Sequence, residues 1–216
     1  MPAPLSIIIP TLDAATSIGP TIGALGEGLS EGIIAELIIT DGGSTDEIAE
    51  IADQIGANLV CGTPGRGQQL ARAAKTAKAS WFLFLHADTV LPNGWTNAVR
   101  DHIQTYPNKA AYFDLRFDDL SLPARLTASW ANLRSRLFHL PYGDQGLLVP
   151  RKLYTSCGGY PEIAQMEDIA IARALKSRIR PLGMPVITSS EKYRRNGWLR
   201  QGTHNLRAAI QYLMTS

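Results

Sequence analysis

The chain has 216 residues, 45% hydrophobic and 19% charged, with a formal net charge of +2. This length and apolar share suit one ordinary globular domain with a proper core and exclude a disordered or fibrous chain. No run approaches the ~18 uninterrupted apolar residues of a spanning helix, and the start Met1-Pro2-Ala3-Pro4 lacks the basic flank and apolar core of a signal peptide, so a cytoplasmic protein is expected.

The first predicted strand is 5–9 and the next is 36–40; both are short, β-branched and apolar on both faces, as buried parallel strands are. Between them a helix is expected over 14–29, its limits blurred by Gly19, Pro20, Gly23, Gly26 and Gly28. A helix after the second strand is expected to take Ser44 or Thr45 as its cap and to bury Ile48, Ile51 and Ile55. Residues 58–60 read as a third strand, 68–78 as an Ala-rich helix and 81–85 as a fourth strand. Further on, strands are expected at 110–117, 146–149 and 184–188, and helices at 123–138, 167–176 and 199–214, the last amphipathic. This alternation predicts an α/β fold with a mixed, mostly parallel sheet flanked by helices, and no repeat or linker divides the chain.

Charge is unevenly spread. Residues 1–60 carry nine acids and no Lys or Arg, whereas residues 173–207 carry nine bases against the single acid Glu191. The basic end is therefore expected to meet an anion, with a nucleotide diphosphate, lipid headgroups and nucleic acid all open on composition. Nucleic acid ranks last, because the bases lack the interleaved aromatics of a strand-binding platform. Cys61 and Cys157 are too few for a disulfide framework and too far apart for a metal knuckle, so both are expected to be reduced.

Three predicted strands end in polar loops: Pro10-Thr11-Leu12-Asp13, Asp41-Gly42-Gly43-Ser44-Thr45-Asp46 and His86-Ala87-Asp88. In an open α/β sheet, ligands bind in the crevice outside these ends. Gly42 and Gly43 let the backbone approach a ligand, and free amides at the next helix start suit anions. Asp41 can accept from a base edge or a ribose, or it can cap a helix with Ser44 and Asp46. His-x-Asp after an apolar strand suits metal or phosphate chemistry, and Asp88 can equally cap a turn. Arg66, between Gly65 and Gly67, can reach a phosphate or a sugar hydroxyl, or lie solvated. Asp144 and Gln145, in a polar Gly-flanked loop, suit hydrogen bonding to a sugar or acceptor or simply form a turn, while His102, His139 and His204 have no partner spacing and read as structural or surface residues.

The segments Ile7-Ile8-Ile9-Pro10-Thr11, Asp41-Gly42-Gly43-Ser44-Thr45-Asp46, Phe84-Leu85-His86-Ala87-Asp88-Thr89 and Met166-Glu167-Asp168-Ile169 resemble, in order and spacing, the family 2 glycosyltransferases with the GT-A fold. Gly65-Arg66-Gly67-Gln68-Gln69, His86-Ala87-Asp88-Thr89 and Gly143-Asp144-Gln145-Gly146 resemble more narrowly the radical-SAM/selenodomain-associated group. The resemblance implies a GT-A (Rossmann-like) domain spanning 1–216, with 1–90 the nucleotide-binding half and 91–216 the acceptor-binding half with a basic C-terminal helix. It implies an enzyme moving a sugar from a nucleotide-sugar donor, UDP-linked, to an unidentified acceptor hydroxyl, with inversion and with Mn²⁺ or Mg²⁺ as cofactor. Pro10, Thr11, Asp13, Asp41, Gly42, Arg66, His86, Ala87 and Asp88 would then hold the nucleotide and diphosphate. Asp88 matches the last acid of the family's Asp-x-Asp metal motif, and Asp168 resembles the general base, with Glu167 the next candidate.

One departure matters: the first acid of Asp-x-Asp is His86. Neutral imidazole is a good ligand for Mn²⁺ and a poorer one for Mg²⁺, so His86 is expected either to ligate Mn²⁺, to bind ribose or phosphate directly, or to belong to a site working without metal. The rival readings are a nucleotidyltransferase, which would show a basic Gly-rich loop directly after the first strand, and a nucleotide-sugar-binding protein without transfer. Peripheral contact of the basic C-terminal region with a membrane is a further expectation.

Overall fold

The computed structural model describes residues 3–163 and 165–215. Eight strands form one mixed sheet: β1 (Leu5–Thr11), β2 (Ile34–Asp41), β3 (Asn58–Cys61), β4 (Trp81–Phe84), β5 (Thr89–Val90), β6 (Ala110–Phe117), β7 (Leu147–Pro150) and β8 (Ile179–Thr188), in the order β3-β2-β1-β4-β7-β6-β8-β5. The β3-β2-β1-β4 block is parallel throughout, as is β6 with β8, while β7 runs antiparallel to both β4 and β6. The fold is that expected from the alternating pattern, a mixed, mostly parallel sheet flanked by helices.

Period-two alternation sends Ile7 and Ile9 of β1 to one side of the sheet and Ile8 to the other. The first side packs on α1 (Gly19–Ser30), α2 (Ile48–Gln54) and α4 (Trp95–Thr105); the second packs on α3 (Arg66–Thr76), α6 (Arg151–Ser156) and α7 (Glu167–Leu175). Both faces of β1, β4 and the second half of β2 are thus buried, which is why these strands read as continuous apolar runs, while β3 at the margin is half-exposed. Gly28 in α1 lets α4 approach, since a methyl there would lie 2.5 Å from the Trp95 ring. A third, smaller cluster joins β6 to α5 (Leu122–Phe138), with Tyr193 of α8 (Glu191–Asn196) and Trp198 of α9 (Trp198–Thr215) packed against it.

Several local expectations need correcting. Ser44 and Thr45 do not cap α2: Ser44 Oγ is turned to Asp41 and Asp13, and Thr45 to Asp13. Cross-loop bonding between the ends of β1 and β2 outcompetes the local cap. Ile55 lies past the end of α2 and is 39% exposed, outside the buried stripe. The strand expected at 184–188 begins at Ile179, and α4, α6 and α8 are additional helices. The amides at the start of α4 are satisfied by Glu27, distant in sequence, with Gly94 N–H donating to Oε2 at 2.8 Å and Thr96 N–H to Oε1 at 3.2 Å. No adjacent cap marks it, although Trp95, Val99 and Ile103 stand at helical spacing. Both cysteines are free. Among the described residues no helix is long and apolar enough to cross a membrane.

Candidate active site

Because β1, β2 and β4 run parallel in close register, their C-terminal ends deliver Thr11, Asp41 and the His86-Ala87-Asp88 turn to one edge of the sheet. The ends are stitched together. Thr11 Oγ1 donates to Asp41 Oδ1 at 3.0 Å, and Asp13 N–H donates to Ser44 Oγ at 2.8 Å. Thr45 N–H donates to Asp13 Oδ1 at 2.9 Å, and Ala15 N–H to Asp46 Oδ2 at 2.7 Å. Gln69 of α3, buried, donates through Nε2 to the carbonyls of Thr11 (2.8 Å) and Thr40 (2.7 Å). The carbonyl of Ala87 accepts from Thr21 Oγ1 at 2.8 Å, which fixes the third loop.

Asp41 faces inward. Its carboxylate accepts from Thr11 Oγ1, Ser44 Oγ and the amides of Gly43 and Ser44 (2.8 Å each), and it is 5% exposed. Burial would raise its pKa, but these four donors together hold it below the usual carboxylate range. Its acceptor positions are taken up in shaping the Gly42-Gly43 loop. Asp13, with a left-handed backbone (φ 49°), is likewise used to tie the loops together.

Two grooves meet at this edge. One, of about 400 Å³, is lined by Pro10, Thr11, Ala14, Gln69 and Ala87; Asp13, Asp41 and Gly42, expected at the nucleotide, are not in its lining. The other, of about 430 Å³, is lined by Tyr142, Asp144, Asp168, Lys192, Tyr193 and His204 among others. Arg66, His86 and Asp88 line both. Each volume is of the size that small-molecule ligands occupy.

At this junction Arg66 pairs with Glu167, whose side chain is 1% exposed, and its Nη1 lies 3.5 Å from His86 Nε2. Burial, together with the cations Arg66 and Lys192, pushes the His86 pKa down to about 3, so the imidazole is neutral. Burial first, with Asp118 and Glu191 adding, raises the Asp88 carboxyl despite the opposing pull of Arg66. The adjacent acids of α7 point apart: Glu167 turns inward to Arg66, while Asp168 faces the second groove with Oδ2 accepting from Gly143 N–H at 2.9 Å and Oδ1 from Ile169 N–H at 2.8 Å. Gly143 has no room for a side chain, since a methyl would come within 2.6 Å of His86 Nε2. Gly67 is similarly pinned against the carbonyl of Pro161.

The polar loop 143–146 separates into two roles. Gln145 is fully buried and structural, accepting from Ser135 Oγ at 2.7 Å and donating to the Phe113 carbonyl at 3.1 Å, so it is unavailable to a sugar. Asp144 has a buried Oδ1 without a hydrogen-bond partner, and burial pushes its pKa up to about 6, with Arg134 opposing and Asp168 adding. Of the histidines set aside as structural or surface residues, His102 is buried with Nε2 at 2.8 Å from the Lys109 carbonyl and His139 is exposed at the end of α5. His204 instead reaches the second groove from α9. No sequence spacing pointed to it, because α9 returns to the groove only through the tertiary fold.

Residues 6–159 match glycosyl transferase family 2. The chain belongs to that family. Over an alignment of 98 positions, covering 41% of this chain and 30% of the relative, the chain is 30% identical to the glucosyl-3-phosphoglycerate synthase of Mycolicibacterium paratuberculosis (strain ATCC BAA-968 / K-10). Among solved structures, S. aureus TarS 1-349 in complex with UDP-GlcNAc superposes with a TM-score of 0.65 at 15% identity, over 86% of this chain and 58% of that one. The glucosyl-3-phosphoglycerate synthase of Mycobacterium tuberculosis, in complex with Mn²⁺, UDP and phosphoglyceric acid, gives 0.60 at 21% identity, over 95% of this chain and 78% of that one. This family 2 chain therefore shares the GT-A fold with these enzymes, and it spans less than two thirds of the length of TarS 1-349 and of the curated relative.

Proposed function

We propose that this family 2 chain transfers a sugar from a UDP-linked donor to an acceptor hydroxyl, with inversion at the anomeric carbon. The observation that carries the reading is the junction of the two grooves at Arg66, His86 and Asp88. The nucleotide lies along Pro10, Thr11 and Ala87, on loops shaped by Asp13, Asp41, Gly42 and Gln69. The diphosphate reaches the junction, and sugar and acceptor fill the groove of Asp144 and Asp168. Residues 1–90 then serve the nucleotide and 91–216 the acceptor. By its motifs we assign the chain to the radical-SAM/selenodomain-associated group.

In the transfer, the acceptor oxygen forms its bond to the anomeric carbon as the bond to the diphosphate breaks, and the departing diphosphate takes the electron pair. Asp168 accepts the acceptor's proton. The Gly143 and Ile169 amides hold its two oxygens in place while each oxygen keeps a free lone pair. Asp144 Oδ1, buried and without a partner, is placed to accept from a substrate hydroxyl. Arg66 and Lys192 supply positive charge beside the leaving group.

Asp88 suits a divalent cation: burial and the neighbouring acids raise its pKa, and a cation relieves that cost. Among the described residues no three His, Cys, Asp or Glu side chains gather around one point, so Asp88 is the acid of this chain that would hold such a cation. His86 suits it less, because Nε2 faces the Arg66 guanidinium; we assign it to positioning Arg66. Bound Mn²⁺ or Mg²⁺ would offset charge developing on the leaving diphosphate.

A panel of nucleotide sugars tests the reading, scored by thermal shift with and without Mn²⁺ and by nucleotide release. UDP and one UDP-sugar are expected to raise the melting midpoint, since ligand at a hundred times its Kd stabilises by about 2.7 kcal/mol, and that UDP-sugar is expected to release UDP. No shift with any nucleotide, with or without metal, sinks the reading.

A further inference from the structure

Helix α5 is amphipathic in the unexpected sense. Its buried face is built of small residues, Ala124, Ala128 and Ala131, packed against Leu115 and Phe117 of β6. Its large apolar side chains, Leu122, Leu126, Trp130, Leu133 and Leu137, are 48–67% exposed. Their spacing of four, four, three and four residues makes one stripe along a helix about 25 Å long. A helix that served only to cover the sheet would turn its leucines inward. Helix α9, packed beside α5, repeats the pattern with exposed Leu199, Leu206, Ile210 and Met214.

Within the two helices the charge has one sign, while the acids Asp118, Asp119 and Glu191 lie in the chain just ahead of them. Neither α5 nor α9 contains an acid, and both expose arginines: Arg125 and Arg136 on α5, Arg200 and Arg207 on α9. Arg136 is paired with Asp114, whereas Arg125, Arg200 and Arg207 are in no ion pair among the described residues. A second copy of this face would bring arginine to arginine with no acid on either helix to answer. A negatively charged surface with an apolar interior satisfies both the arginines and the leucines. Basic residues beside Leu and Trp on an exposed helix are the composition of interfacial helices.

We propose that the α5–α9 face docks on an anionic lipid surface, with Trp130 and the α5 leucines entering the headgroup boundary and the arginines meeting lipid phosphates. The occupant is a bilayer surface and not a spanning segment. Helix α9 also carries His204 and Asn205 on the wall of the second groove, so docking sets that wall close to the lipid.

Co-sedimentation of the full chain with two kinds of vesicle tests this: phosphatidylcholine alone, and phosphatidylcholine with an equal part of phosphatidylglycerol. The chain is expected to pellet with the anionic vesicles at low salt, to be released as salt rises, and to ignore the neutral ones. Arg200→Glu with Arg207→Glu should weaken partition by roughly fivefold per arginine, the factor that ~1 kcal/mol per basic residue gives. Leu126→Ser with Leu133→Ser, at outward positions and with folding checked by the melting midpoint, should release the protein too. Trp130→Phe should remove the blue shift of fluorescence on binding. The proposal is overturned if the chain stays in the supernatant with anionic vesicles or pellets equally with neutral ones. It is also overturned if light scattering shows a dimer that the two leucine substitutions dissociate while vesicle binding persists.

Discussion

The amide of Gly143 donates to Asp168 Oδ2 at 2.9 Å, tying the loop before β7 to the first turn of α7. The bond fixes the carboxylate at the groove wall, and it depends on Gly143 having no side chain, because His86 fills the space a methyl would need. Base, imidazole and loop are therefore one packed unit.

Asp168→Asn separates chemistry from binding. The amide keeps the shape and can still accept from Gly143 but takes up no proton, so nucleotide affinity measured by calorimetry should hold while transfer falls by about 10²–10⁴-fold. A loss of donor affinity as severe as that of Asp88→Ala would move Asp168 to the nucleotide site.

Asp88→Ala should abolish the Mn²⁺-dependent part of UDP affinity and leave the melting midpoint without ligand intact or slightly raised, since a carboxylate disfavoured by burial is removed. Calorimetry with UDP, with and without Mn²⁺, reads this directly. Unchanged metal dependence would remove Asp88 from the metal site.

Gly143→Ala is expected to destabilise by about 1–3 kcal/mol, the usual range for overpacking, and to lower transfer at least tenfold by displacing the His86 ring from Arg66. In a His86→Ala background the added methyl has space, so the same substitution should then cost little stability. Equal cost in both backgrounds would show that the two residues do not compete for room.

Two groups in the grooves give opposite pH dependences. Burial pushes Asp144 up to about 6, against about 3.9 when unfolded. The folded state binds the proton first, so this stabilisation is complete below pH ~4 and is lost as pH rises through 6. His86 is pushed down to about 3, against about 6.5 unfolded. Its contribution is complete above pH ~6.5 and is lost as pH falls toward 3. Denaturant titrations across pH 4–7 should thus show Asp144→Asn gaining stability relative to the parent as pH rises through 6, by an amount on the order of 1–2 kcal/mol after solvent screening. His86→Gln should gain as pH falls below 6.5. A parent and variant curve that run parallel would remove the group concerned from the account.

By itself the sequence determined the frame of this protein. Five apolar residues running into His86-Ala87-Asp88, and the isoleucine runs ending at Thr11 and Asp41, locate buried parallel strands and the sheet edge where their loops converge, because periodicity and turn chemistry are local. Where each side chain points was decided by long-range packing. The Asp41 carboxylate turns inward because Thr11, Ser44 and two amides compete for it. Glu167 is buried because Arg66, 101 residues away, meets it. Helix α4 is capped by Glu27 from another helix, His204 reaches the groove because α9 folds back, and α5 shows its leucines outward because its alanines are the face that packs on β6. Such choices depend on which surfaces the fold brings together, and no window along the chain contains that information.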